Sequence, residues 1–385
     1  MAYPLGLYLH IPFCSRKCFY CDFTSIATPA PPEQVYVAAL LRELVLWRER
    51  LAFDSRPLLT VYFGGGTPSL LSAASVANIM ATIRSLWTLP PEAEVTLEAN
   101  PDSVTPFRLA GYRAAGINRL SLGIQAFSPD RLALLGRIHT VAAARAAIHA
   151  ARAAGFTNLS LDLIYATPGQ TLMAWQEELA EAMAWHPEHL SCYSLTLEPG
   201  TPLADSHGAE MPAEELALEM FLITRDMLAR RGWQPYEISN FAQPGQFSRH
   251  NCHYWEFGDY IGAGVAAHGK LTSIAATNLQ IRRTRNHGSV TSYVESLREG
   301  RLPLDLDVLL SRDEAAADAL VMGLRQSMGL DRRRYRVLKG VDIVVEKGTC
   351  LAPMREAGWI DYGSERIFLT PQGVCIADSI MAELL

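Results

Sequence analysis

Two segments offset by 39 residues, GYRAAGINRLSLG (111–123) and AARAAGFTNLSLD (150–162), carry one pattern. In each, an alanine-rich helical stretch ends in Gly, and an apolar strand-like run follows at once. Glycine just past a helix is the usual left-handed C-cap. The pair reads as an internal βα repeat. The alternation extends to both sides. Strand-like runs fall at LGLYLHI (5–11), LTVYFGG (59–65), EVTLEAN (94–100), NRLSLGIQ (118–125), TNLSLDLI (157–164) and HLSCYSLTL (189–197). Stretches such as 35–51, 72–87, 106–116 and 141–155 have helical spacing between them. Apolar strands alternating with helices imply a parallel sheet buried on both faces. Six such units predict an α/β fold, a partial TIM-type (β/α)6 barrel. A doubly wound open sheet is the alternative.

After about residue 205 the alternation fades. An amphipathic helix is expected over 214–233, and a strand and turn over 234–242. From about 308 an acidic-capped helix, then helix, two-strand wing and final helix, predict a small winged-helix-like α+β domain. The expected divisions are 1–205 for the barrel, 206–305 for its extension and 306–385 for the small domain. A net charge of −6 and a pI near 6.0 give no basic field, so nucleic acid is not an expected partner. No apolar run reaches the roughly 18–20 residues of a membrane span. The N-terminus has no basic leader and no small-residue cleavage site, so the expected compartment is the cytoplasm.

In a cytosolic chain with 7 cysteines, three within HIPFCSRKCFYCDF (10–23) point to a metal centre rather than to disulfides. Cys14, Cys18 and Cys21 follow the first strand directly. Three thiolates can hold a [4Fe–4S] cube and leave one iron open. Zinc wants four ligands, and His10 is then the candidate fourth. Polar groups close the other strands: Gly64, Gly65, Gly66 and Thr67 after the second, Glu98 on the third, Gln125 on the fourth, and Asp162 ending the fifth, with Arg137 in LLGRIHT. Strand C-termini are where a barrel of this type places its chemistry.

CxxxCxYC after a first barrel strand resembles the signature of the radical S-adenosylmethionine (SAM) superfamily. The resemblance implies a [4Fe–4S] cluster on Cys14, Cys18 and Cys21, with SAM chelated at the open iron and Tyr20 near its adenine. It also implies SAM contacts by Tyr8, Gly65 and Glu98. Gln125, Arg137 and Asp162 line the same pocket and, with Gly66 and Thr67, hold a second SAM in the coproporphyrinogen dehydrogenase relatives. HIPFC, FGGGTPS, EANP, SLGIQ and DLIYATPGQ together resemble the oxygen-independent coproporphyrinogen III oxidase-like group over most of residues 5–270. Phe23 stands where the dehydrogenases carry a further Cys, and only 13 residues precede Cys14. Both departures point to the heme-chaperone branch of that group.

RHNCHYWEFGDYIGAGVAAHG (249–269) contains HNxxYW, as His250, Asn251, Tyr254 and Trp255, which resembles the heme-binding motif of that branch. His250 is the expected heme ligand, with Cys252 and His253 as competitors. The expected function is heme binding and delivery to acceptor proteins. The alternative is oxidative decarboxylation of coproporphyrinogen III in porphyrin biosynthesis. The expected partners are heme-accepting proteins, a flavodoxin- or ferredoxin-type electron donor, and transiently a membrane surface. Oligomeric state is not legible.

Overall fold

A computed structural model describes residues 4–51, 54–275 and 278–385. The expectation of no N-terminal leader rests in part on residues 1–3, which lie outside the described residues. The six expected strands form: β1 (Leu5–Ile11), β2 (Leu58–Gly65), β3 (Glu94–Ala99), β4 (Arg119–Gln125), β5 (Leu159–Tyr165) and β6 (His189–Ser194). Each pairs in parallel with the next, in chain order. Helices α1 (Glu33–Arg50), α2 (Ala73–Leu86), α3 (Pro106–Ala115), α4 (Val141–Ala153) and α5 (Leu172–Ala184) alternate with them. Ser72, Thr105, Thr140 and Thr171 each cap a helix N-terminus with the side-chain oxygen. Strand and helix side chains share one large apolar core. The fold is the expected partial (β/α)6 barrel.

Helix α6 (Glu214–Arg230) precedes two short strands, β7 (Gln234–Pro235) and β8 (Asn240–Ala242), which extend the sheet antiparallel from β6. The HNCHYW segment is helix α7 (Arg249–Trp255), not the loop its composition suggests. Ser248 caps that helix by accepting from the Asn251 amide. The glycine-rich stretch behind it forms β9 (Asp259–Ala263), a seventh parallel strand beside β1. Antiparallel strands β10 (His268–Ala275), β11 (Asn278–Asn286) and β12 (Leu304–Leu310) complete a sheet of 12 strands. Helix α8 (Val290–Arg298) packs back against α1.

The small C-terminal domain opens on α9 (Arg312–Arg325), whose Ser311 and Glu314 form a capping box. Three short strands, β13 (Leu330–Asp331), β14 (Ile360–Tyr362) and β15 (Arg366–Leu369), make the wing, with α10 (Arg332–Lys339), α11 (Gly348–Glu356) and α12 (Ala377–Leu384) around it. Its apolar core also takes in Phe257 and Ile281, so it is seated on the barrel extension. No helix of the described residues is long and apolar enough to cross a membrane.

One carboxylate ties the barrel to the extension. Glu43 on α1 is fully buried. Its Oε2 accepts from the Tyr293 hydroxyl at 2.6 Å and the Gly264 amide at 2.8 Å. Its Oε1 accepts from Asn286 at 2.7 Å and the Trp47 indole at 3.2 Å. Burial pushes its pKa up to about 7, against the pull of these four donors. An amide would turn an N–H toward donors. Glu43→Gln is therefore expected to cost about 2–4 kcal/mol in urea unfolding. A loss below about 0.5 kcal/mol contradicts this account.

Candidate functional site

The C-terminal ends of β1–β6 open on a cavity of about 500 Å³. Eleven of the thirteen expected site residues line it: Cys14, Cys18, Tyr20, Cys21, Gly65, Gly66, Thr67, Glu98, Gln125, Arg137 and Asp162. Asp162 corrects its expected position. It lies mid-strand, because β5 runs on to Tyr165, and it reaches the cavity from below the rim. There it accepts from the Ser121 hydroxyl at 2.9 Å and from Ser160 at 3.1 Å. Gln125 bends the end of β4. Its φ of 66° is left-handed, and the register to β5 shifts between Gly123 and Gln125. Such a backbone conformation costs of order 1 kcal/mol and turns the residue into the cavity mouth.

The cysteine loop is pinned at both ends. Phe13–Cys14 pairs in parallel with Ile26–Ala27. The glycine loop after β2 docks on it, with the Gly66 amide on Ile11 O at 2.8 Å and the Thr67 amide on Phe13 O at 2.8 Å. No side chain fits there: a Cβ on Gly66 would meet Phe13 O at 2.8 Å and Cys14 Sγ at 3.0 Å. A Cβ on Gly65 would meet the His10 ring at 2.7 Å, at a φ of 114°.

A polar chain joins two of the thiols. Thr67 Oγ1 donates to Cys14 Sγ at 3.4 Å and accepts from Asn100 Nδ2 at 3.1 Å. Asn100 Oδ1 accepts from Arg137 at 2.8 Å, and Arg137 donates to Cys18 Sγ at 3.4 Å. Burial raises the Cys14 thiol pKa, against the Thr67 and Ser25 hydroxyls. Cys21 is raised in the same way, and Cys14 and Cys18 add to it electrostatically. All three thiols are free of disulfides. Among the described residues no group of three His, Cys, Asp or Glu is set closely enough to grip one metal ion. The three thiols instead edge one chamber, with Arg137 as a donor to one of them. That arrangement suits a larger, net-negative, sulfur-rich cluster. His10 is not poised as a fourth ligand. Its Nε2 donates to Thr24 O at 2.8 Å and its Nδ1 accepts from the Tyr8 hydroxyl at 2.9 Å.

Across the chamber, Glu98 accepts from the Tyr62 hydroxyl at 2.7 Å and the Gly65 amide at 3.2 Å. Burial, opposed by Tyr62 and reinforced by Asp162, brings its pKa up to about 7. Arg119 was not found by motif. It is 2% exposed at the start of β4 yet lines the cavity. Burial works against its charge, but Glu94, Tyr62 and Asp162 outweigh that. A lone Arg entering a strand carries no sequence signal for this role. Asn100, in EANP, had a visible motif but no visible partner.

Two expected residues lie elsewhere. Tyr8 faces a neighbouring cleft. His250 is 1% exposed on α7. Its Nδ1 bonds Thr60 Oγ1 at 2.7 Å, and the rings of Tyr62 and Tyr254 pack at 4.8 Å and 4.5 Å. Its Nε2 has no partner among the described residues. Burial, with His253 and Arg119, keeps the imidazole neutral. His253 is buried too and donates to Asp259 O at 2.6 Å.

A barrel with three loop thiols at its mouth defines a class, and residues 8–182 match the Radical SAM superfamily. Among solved structures, coproporphyrinogen III oxidase (HemN) from Escherichia coli, described as a radical SAM enzyme, matches with a TM-score of 0.83 at 25% identity, over 100% of this chain and 90% of that one. Heme chaperone HemW of Haemophilus influenzae is 42% identical over 70% of this chain and 71% of its own length. HemW of Bacillus subtilis is 33% identical over 98% of both. The chain belongs to the HemW family of radical SAM proteins.

Proposed function

We propose that this protein is a heme chaperone that binds a [4Fe–4S] cluster, SAM and heme, and passes heme to acceptor proteins. The observation that carries the reading is similarity to HemW along nearly the entire chain, joined to an intact three-thiol chamber. When bound, the cluster supplies one-electron chemistry and an iron open to SAM. Cys14, Cys18 and Cys21 hold the cluster in this reading. Arg137 and Thr67 stabilise its sulfur ligands by hydrogen bonding. The Gly65–Gly66 backbone and Glu98 receive the amino-acid end of SAM, and Tyr20 packs beside its adenine. Gln125 and Asp162 form the far wall. The reductant is a flavodoxin- or ferredoxin-type protein, the compartment is the cytosol, and contact with a membrane is transient, at the acceptor.

The test is anaerobic reconstitution with iron and sulfide, then two assays on the loaded protein. Stoichiometric hemin binding is expected, without consumption of coproporphyrinogen III in the presence of SAM and reductant. Consumption of coproporphyrinogen moves the chain to the oxidase reading that the HemN likeness favours.

Glu98 adds a pH signature. Its carboxyl is protonated below about 7 and ionised above. SAM is a sulfonium cation, so its affinity should rise by up to roughly tenfold between about pH 6 and 8. Glu98→Gln should flatten that profile in equilibrium dialysis. The stability sign is opposite. A carboxyl whose folded pKa is raised stabilises the fold below its ordinary 4.5, and that contribution is lost as pH rises through 7.

A further inference from the structure

Beside the thiol chamber lies a second cleft of about 710 Å³, with Phe23, Gly65 and Glu98 on the partition between the two. It opens between β1, the end of the cysteine loop, α7 and strands β9–β11. Its volume falls in the range that encloses an organic ligand. Tyr8, Tyr254, Tyr260 and Phe23 give it aromatic walls, and Tyr254 and Tyr260 pack at 4.4 Å. Phe23 is 63% exposed, so its ring is open to a ligand at the cleft mouth.

We infer that this cleft seats the heme and that His268 is the axial ligand to its iron; the inference rests on the heme-chaperone reading above. Five histidines stand near, and geometry separates them. His287 lies between the cleft residues Asn286 and Gly288 but does not itself line the cleft. His10 has both ring nitrogens engaged. His253 is buried with its Nε2 bonded to backbone. His250 is enclosed by two tyrosine rings, so a macrocycle reaches it only if α7 moves. His268 is exposed, lines the cleft, and makes no side-chain hydrogen bond among the described residues. A free imidazole edge is what heme iron takes.

The strand register adds the second half of the site. His268 on β10 is directly opposite Arg285 on β11. Directly paired residues present their side chains on one face of the sheet. Arg285 also lines the cleft. Its Nε donates to Asp305 at 2.9 Å, and its two terminal nitrogens donate to nothing among the described residues. They are available to the carboxylates of heme, which Arg recognises well. Asp22, Glu98 and Asp305 also line the cleft, and Arg285 offsets the last of these. An imidazole for iron and a guanidinium for carboxylates thus stand side by side above aromatic walls.

The probe is hemin, added anaerobically to the cluster-loaded full chain. Bound heme is read by difference absorbance, by electron paramagnetic resonance of the ferric iron, and by retention through gel filtration. His268→Ala is expected to weaken hemin binding at least tenfold and to remove the imidazole-ligated signal, and free imidazole should restore that signal. Because His268 is exposed, this variant should fold. Arg285→Ala should weaken binding while leaving the iron signal unchanged, and His207→Ala should change neither. Wild-type affinity and signal in His268→Ala overturn the assignment while leaving the chaperone reading intact. Loss of the signal in a folded His250→Gln protein, with retention in His268→Ala, returns the ligand to α7 and overturns it too. No stoichiometric hemin binding by the wild type overturns both readings.

Discussion

Cys18→Ser is expected to lower iron after anaerobic reconstitution from about four per chain to below about one. A cube held by three protein thiolates has no redundancy, and a hydroxyl is a far poorer iron ligand than a thiolate. Cys18 is also the thiol to which Arg137 donates, through the chain that runs by Asn100 and Thr67 to Cys14. Arg137→Met should therefore keep most of the iron but shift the reduction potential, because it removes a hydrogen bond to a sulfur assigned to the cluster. Cys350→Ser, in the small domain, should retain full iron. Iron and sulfide analysis of the three variants, with a redox titration of Arg137→Met, decides the matter. Full iron in Cys18→Ser means that the three-thiol assignment is wrong.

Asp259→Ala is expected to destabilise the protein by about 3–5 kcal/mol, because it leaves the buried Lys270 ammonium without its counter-charge, while Arg56 keeps Asp54. Asp259 is 0% exposed at the start of β9. Its Oδ1 accepts from Lys270 Nζ at 2.8 Å and Thr272 Oγ1 at 2.7 Å. Its Oδ2 accepts from Arg56 at 2.7 Å and the Thr272 amide at 2.9 Å. Burial alone would raise this carboxyl. Lys270, Arg56 and Thr272 outweigh that and hold it below its ordinary 3.8. Its contribution is therefore present above pH 3.8 and lost as pH falls through the folded value. Burial draws the Lys270 ammonium down to about 8, yet its protons go to Asp259 and to the carbonyls of Phe257 and Gly258. Adding Lys270→Met to Asp259→Ala should recover part of the loss in denaturant melts. Strict additivity of the two changes would show that the pair is not coupled. Since Asp259 registers with Leu5, the single variant should also loosen the β1–β9 seam that walls the aromatic cleft.

The three cysteines, the glycine run and the six strands were legible because each signal is local. Buried apolar runs of strand length in alternation with capped helices leave few arrangements other than a parallel sheet. The spacing of Cys14, Cys18 and Cys21 confines three thiols to one loop, whatever the fold. HNCHYW was legible as a motif but not as a structure. Its polar and aromatic residues suggest an open loop, whereas the Ser248 cap starts a helix that turns His250 inward. Asp162 was legible as polar within an apolar strand, but its depth depended on where β5 stops.

Chemistry was thus written in the chain itself: three thiols in one loop, bare backbone at Gly65 and Gly66, and acidic, amide and guanidinium groups near strand ends. Only the tertiary structure decided which of these share a chamber. It alone brought Arg137 to Cys18, sank Arg119 beneath the cavity, closed His250 between two rings and set His268 across from Arg285. The physical reason is that periodicity reports which side of an element is buried. It does not report which distant element covers that side. Here the seventh strand comes from residues 259–263 and packs beside residues 5–9, and no local pattern encodes that pairing.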